Sequence, residues 1–168
     1  MANEYFRWFD IDHAEAITVS GQLAVRWVEK SLNIFMNKKI ILIMGLPGTG
    51  KSTLANELHN MFLTNGHLCD WYNADKIRQE YNDWDFSYDG RLRQAERMKN
   101  LANMSENNVI IDMVAPLPEF RSIINPNVLV WMDTLVESRF EDTNKLFVQP
   151  ENYNYRITSY DSQKWAKN

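Results

Sequence analysis

The chain has 168 residues, 45% of them hydrophobic and 24% charged, which suits a soluble globular protein with one real core. Its formal net charge of −4 argues against a nucleic-acid polyanion as the main partner, although a local basic groove would override that balance. No apolar run approaches the length of a membrane span. The single cysteine, Cys69, excludes an intramolecular disulfide framework and a cysteine-based zinc site, and it fits a reducing cytoplasm.

Residues 1–37 read as an N-terminal extension. Glu4, Asp10 and Asp12 among aromatics lack the basic-then-apolar order of a signal peptide. Between residues 18 and 35, Val19, Leu23, Val25, Trp27, Val28, Leu32, Ile34 and Phe35 recur at a spacing that predicts an amphipathic helix. With the aromatic cluster Tyr5, Phe6, Trp8 and Phe9 before it, the extension is expected to pack on the core as an appendage. A homodimer or partner surface is the alternative. Residues 38–168 form the second unit, and chemistry is expected to need only that part.

That unit opens on the apolar run Ile40-Ile41-Leu42-Ile43-Met44, a predicted strand. Gly45-Leu46-Pro47-Gly48-Thr49-Gly50-Lys51-Ser52-Thr53 follows and fits G-x-x-x-x-G-K-[ST], the Walker A phosphate-binding loop. A helical pattern begins at once, with Leu54, Ala55 and Leu58. A glycine-rich turn with a chance lysine is the bland reading, and the strand before and helix after weigh against it. Glycines let backbone N–H groups close on phosphate oxygens, and the helix presents its positive end. Lys51 is expected to reach the β- and γ-phosphates of ATP, and the Ser52 hydroxyl to bind Mg²⁺.

Further along, a helix is predicted over 52–64, stopped near Asn65-Gly66. A strand follows over 67–73 and a helix over 75–81. Residues 82–89 are aromatic and turn-rich, and 91–104 is a strong helix. Val109-Ile110-Ile111 is a short apolar strand of the kind buried on both faces of a parallel sheet. Pro116 and Pro118 open a short helix to residue 124, residues 128–132 make another buried strand, and a helix is expected from about Leu135. The polar tail with Tyr153, Tyr155 and Tyr160 reads as one more edge strand and a short helix ending near Trp165. This alternation predicts an α/β fold of three layers, the P-loop kinase type, with a mostly parallel sheet and helices on both faces.

Phosphoryl transfer asks for positioning and charge neutralisation more than covalent chemistry. Asp75 and Arg78 lie just beyond the carboxyl end of the second core strand, where ligands bind in open α/β sheets. Asp75 is a candidate to accept or orient the acceptor's proton or to touch Mg²⁺ through water, with a helix N-cap as its bland alternative. Arg78 is a candidate for an anionic group of the acceptor. Phe86 followed by Arg91 suits a stacking wall beside a phosphate-binding cation. Asp112 ends a strand where an acid would bind Mg²⁺ indirectly; a plain strand-end acid is an equal reading. Val114 lines the same edge. Arg139 and Lys145 are candidates for a lid reaching the transferring phosphate. The three histidines show no metal-ligand spacing, and Trp71 and Trp131 read as core.

Together these motifs resemble those of the adenylyl-sulfate (APS) kinases, which phosphorylate the ribose 3′-hydroxyl of APS with ATP. The likeness covers roughly residues 39–147. Asn73-Ala74-Asp75-Lys76-Ile77-Arg78 is similar to the family's D-G-D-N-x-R, and Phe86-Ser87 through Arg91 to Gln94 to its F-S-x-x-D-R-x-x-N. Val114-Ala115-Pro116 is similar to I-S-P, and the stretch from Arg139 to Phe147 to the lid R-D-x-K-G-L-Y. The resemblance implies that Asp75 is the acidic catalytic or metal-proximal residue and that Arg78, Phe86, Arg91 and Gln94 contact APS. It implies a sulfate-assimilation enzyme of the cytoplasm, or of a host cytoplasm for a viral member. Asn73, Ala74, Gln94 and Ala115 depart from the family's residues, and the lid carries two extra residues. Two other readings remain. A polynucleotide 5′-kinase would also use Asp75, Arg78 and Asp112, while a nucleotide-binding regulator would bind ATP without transfer.

Overall fold

A computed structural model describes residues 17–20 and 38–159. The strands are β1 (Ile17–Ser20), β2 (Ile40–Met44), β3 (Cys69–Asn73), β4 (Asn108–Asp112), β5 (Val128–Met132) and β6 (Tyr155–Ser159). The helices are α1 (Lys51–Thr64), α2 (Ala74–Glu80), α3 (Tyr88–Met104), α4 (Pro118–Ile124) and α5 (Glu141–Leu146). The strands form one sheet in the order β1-β6-β5-β2-β4-β3, with every pairing parallel.

Alternation along the central strands builds the two outer layers. Ile41 and Ile43 of β2, Ile110 of β4 and Val130 and Met132 of β5 face α1, where Leu54, Ala55, Leu58 and Phe62 cover them. Ile40, Leu42 and Met44, with Val109, Ile111 and Trp131, face the other way. There Ile77 of α2, Met98 and Ala102 of α3 and Ile124 of α4 close the second core. Burial on both faces explains why β2 and β4 read as unbroken apolar runs.

Three expectations are corrected. Ile17–Ser20 is a strand beside β6, so Thr18, Val19 and Ser20 leave the helix expected over 18–35; the rest of that helix lies outside the described residues. The helix expected from Leu135 begins only at Glu141, because Ser138 and Asn144 bind each other. The Ser138 N–H donates to Asn144 Oδ1 at 3.0 Å, and Asn144 Nδ2 donates to the Ser138 carbonyl at 2.8 Å. That pair holds the segment before α5 as a loop. The third concerns β6, which is flanked by β5 and β1 and is therefore not an edge strand. The short helix expected after it lies outside the described residues. No helix among the described residues is long and apolar enough to cross a membrane.

Candidate functional site

The carboxyl ends of β2, β3 and β4 open on one cleft of about 850 Å³. Its floor is the loop between β2 and α1. Gly45 is required there by crowding, since a Cβ would collide with the Met132 carbonyl oxygen. Gly50, at φ 90°, takes the left-handed turn that starts α1, a backbone that side chains disfavour. The first N–H groups of α1 have no partner within the helix, and they face this floor. Pro47, Gly48, Gly50, Lys51, Ser52 and Thr53 line the cleft. Gly45, Leu46 and Thr49, also expected at the nucleotide, shape the loop instead: the Leu46 carbonyl accepts from Thr49 Oγ1 at 2.8 Å and from Lys51 Nζ at 2.9 Å. Lys51 is only 9% exposed. Burial lowers its pKa, while Asp112 and then Asp75 pull it back up.

Behind the lysine, three polar side chains meet. Asp112 is 2% exposed at the end of β4. Asn73 Nδ2 donates to Asp112 Oδ2 at 2.6 Å and to Ser52 Oγ at 3.1 Å. Burial raises the Asp112 carboxyl's pKa, against hydrogen bonds from Ser52 and Asn73 and the charge of Lys51. The Ser52 hydroxyl and the Asp112 carboxylate are hard oxygen donors beside the phosphate loop. That donor set fits Mg²⁺, which takes one or two protein oxygens and completes its shell with water and phosphate.

Asp75 is exposed on the first turn of α2 and lines the cleft. The helix cap belongs to Asn73, whose Oδ1 accepts from the Lys76 N–H at 3.0 Å. The capping alternative for Asp75 is therefore removed. Phe86, Arg91 and Val114 also line the cleft, as expected. Arg91 Nε donates to the Phe86 carbonyl at 2.8 Å, and its Nη2 donates to Thr143 Oγ1 at 3.2 Å and lies 3.4 Å from Asp142 of α5. Arg139 reaches the rim, its guanidinium 4.8 Å from the Phe140 ring.

Three residues expected at the acceptor or in the lid do not line this cleft. Arg78 is 4% exposed and serves the loop before α3 instead. Its Nη1 donates to the carbonyls of Asp83 and Asp85, each at 2.9 Å, and its Nη2 to that of Gly90 at 3.2 Å. The Phe86 ring lies 4.7 Å from its guanidinium. Gln94 is 1% exposed, donates to the Ala74 carbonyl at 3.0 Å and accepts from Arg97. It locks α2 to α3 away from the cleft. Lys145 pairs with Glu141 at 2.6 Å on the exposed face of α5.

Trp84, Phe140, Asp142 and Thr143 line the cleft without having been singled out in the sequence. Trp84 lies two residues before Phe86 with ring centres 6.4 Å apart, a signal present in the aromatic, turn-rich stretch. Asp142 and Thr143 lie inside the lid-like stretch, but their individual places depend on where α5 begins.

A family model described as adenylylsulphate kinase matches residues 37–144. Adenylyl-sulfate kinase 1, chloroplastic, of Arabidopsis thaliana is 27% identical over 113 residues, 62% of this chain and 41% of its own length. A DNA-directed DNA polymerase of Escherichia phage RB69 is 27% identical over 84 residues, 50% of this chain and 9% of its own. The chain thus spans less than half of either relative. Among solved structures, Mycobacterium tuberculosis APS kinase CysC in complex with AMPPNP and APS is similar in fold, with a TM-score of 0.64 at 20% identity over 73% of this chain and 88% of that one.

Proposed function

The chain belongs to the adenylylsulphate kinase family, and from that premise we propose that it is an ATP-dependent kinase that transfers the γ-phosphate of ATP to the 3′-hydroxyl of adenylyl sulfate. One observation supports the proposal. A single cleft is lined both by Lys51 and Ser52 and by Asp75, Phe86 and Arg91. Donor and acceptor are therefore held in one space, which is what in-line transfer between two bound substrates needs.

In this reading the amides of the loop and the start of α1 bind the β- and γ-phosphates, and Lys51 neutralises charge that develops on them. Mg²⁺, held by Ser52 and Asp112, supplies further neutralisation when bound. Asp75 accepts the proton of the attacking hydroxyl. Trp84 and Phe86 offer ring faces to the acceptor's base, and Arg91 holds an anionic group of the acceptor. Arg139 covers the transferring phosphate from the rim. The single cysteine supports a reducing cytoplasm as the setting of this activity.

The test supplies Mg·ATP labelled at the γ-position with either APS or a 5′-hydroxyl oligonucleotide. Labelled 3′-phospho-APS is expected. Label on the oligonucleotide alone would overturn the acceptor and favour a polynucleotide 5′-kinase, a reading supported by the buried acid Asp112 beside Ser52. Nucleotide binding with no transfer to either acceptor would leave a regulatory protein.

A further inference from the structure

We propose that Asn73 is a positioning residue for the magnesium-bound nucleotide, its side-chain amide holding Ser52 and Asp112 in the arrangement that receives the ion. The inference concerns the donor nucleotide alone and stands apart from the identity of the acceptor.

Asn73 ends β3 in register with Asp112 at the end of β4, so the parallel ladder itself sets the two side chains next to each other. The orientation of the amide follows from its partners. Its Oδ1 accepts the Lys76 N–H at 3.0 Å, which turns Nδ2 toward two oxygens. These are Asp112 Oδ2 at 2.6 Å and Ser52 Oγ at 3.1 Å. One neutral side chain thereby ties a strand-end acid to the loop serine, two oxygen donors from separate segments. Groups that orient a metal's ligands fix their geometry, and losing one typically costs about 10- to 100-fold in metal affinity or activity.

By sequence, Asn73 is only a departure from an aspartate in the resembled motif. The structure gives that departure a physical meaning. A carboxylate at 73 would stand against the buried Asp112 carboxylate, and like charges at that distance repel. The amide removes that repulsion and adds two N–H donors. Asn73 therefore has two separable duties: Oδ1 caps α2, and Nδ2 braces the ion's protein oxygens.

Asn73→Ser separates them. Serine caps a helix about as well as asparagine, but its hydroxyl is too short to span Ser52 and Asp112. Affinity for AMPPNP is measured by calorimetry on the full chain, once with excess Mg²⁺ and once with EDTA. In Asn73→Ser the Kd for Mg·AMPPNP is expected to rise roughly 10- to 100-fold, the usual scale for losing an outer-shell partner. The Kd for metal-free AMPPNP is expected to move less than about threefold. Asn73→Thr, which also keeps a capping hydroxyl, is measured in the same way and is expected to agree, so that poor folding of one variant leaves the comparison intact. Unchanged affinity in both conditions would reduce Asn73 to a helix cap and overturn the proposal. Equal losses with and without the ion would make it a support of loop shape, and would overturn the proposal equally. Wild-type protein that binds AMPPNP equally well with and without Mg²⁺ would do the same.

Discussion

Asp75 occupies the first turn of α2, yet it does not make the cap, because Asn73 does. Removing its carboxylate should therefore leave the helix in place. Asp75→Ala is expected to cost at least about a hundredfold in kcat, the scale of one lost preorganised group, with little change in melting temperature. Near-normal turnover would remove it from the mechanism. Lys51→Ala carries the same expected loss, since Lys51 is the cation buried against the phosphate loop. Arg91 is different, because Asp142 already sits 3.4 Å from its guanidinium. Arg91→Ala should raise the KM for the acceptor more than that for ATP. Asp142→Asn should lower the acceptor KM by a few fold, since a rim ion pair is worth only about 0.2–1 kcal/mol. If the two substitutions moved the acceptor KM in the same direction, competition between Asp142 and the acceptor for Arg91 would be refuted. At this scale the spacing of Asp75, Phe86 and Arg91 was enough to find cleft residues. It misled for Arg78 and Gln94, because a helical interval says which side chains share a face and not what that face meets. Arg78 meets three backbone carbonyls, and Gln94 meets the carbonyl of Ala74.

The segment between α2 and α3 carries Trp84 and Phe86, and a small charge network shapes it. Asp83 lies 2.9 Å from Arg97, 3.3 Å from Arg93 and 3.8 Å from Arg78. Asp85 accepts from the Ser87 N–H at 2.9 Å and pairs with Arg93, also at 2.9 Å. Hydrogen bonds from Arg97 first, and from Arg93 next, hold the Asp83 carboxyl down at about 2, and those from Ser87 hold Asp85 near the same value. Both lie below the ordinary 3.8, so their contribution is complete above about pH 4 and is lost as pH falls through about 2. Amide exchange in residues 82–89 is expected to accelerate across that interval before the sheet opens, and Asp83→Asn should show the faster exchange already at neutral pH. Uniform exchange across the domain would refute a local transition. Arg78→Ala should destabilise by about 3 kcal/mol, since three carbonyls, that of buried Gly90 among them, lose a charged donor. It should raise the acceptor KM while sparing that of ATP. Little of this was legible in sequence, where residues 82–89 read only as aromatic and turn-rich. The start of α5 was misplaced for a related reason. Leu135 and Val136 look like the apolar face of a helix, but they are 40% and 95% exposed in a loop held by Ser138 and Asn144.

Over the whole molecule, the doubly wound sheet was legible because β2, β4 and β5 are apolar runs buried from both sides, each joined through helical patterns. The chain leaves β2 toward β3 and β4 on one side and returns to β5 on the other, so the cleft lies at the strand ends where the direction of winding changes. The far side of the sheet was not legible. Tyr155 and Ile157 are buried in β6 between polar neighbours, and β1 supplies its outer partner. This arrangement bears on whether residues 1–37 matter for chemistry. Among the described residues, those lining the cleft fall between Pro47 and Thr143, and in the sheet β1 is separated from β2 by β6 and β5. A chain shortened to residues 38–168 loses the β1 ladder, worth roughly 2–4 kcal/mol at about 1 kcal/mol per hydrogen bond, or about 5–15 °C in melting temperature. Its Kd for Mg·AMPPNP should stay within about threefold, because a loss at the sheet's far edge and binding at the strand ends share no partner and should be independent. One path does connect them. Arg156 of β6 donates to Asp133 at 2.9 Å, and the Asp133 N–H donates to the Ile157 carbonyl at 2.7 Å. Asp133 begins the loop that carries Arg139. Any functional effect of the shortening should therefore enter through Arg139 and lower kcat while nucleotide affinity holds. A tenfold loss of nucleotide affinity in the shortened chain would instead make the extension part of the donor site.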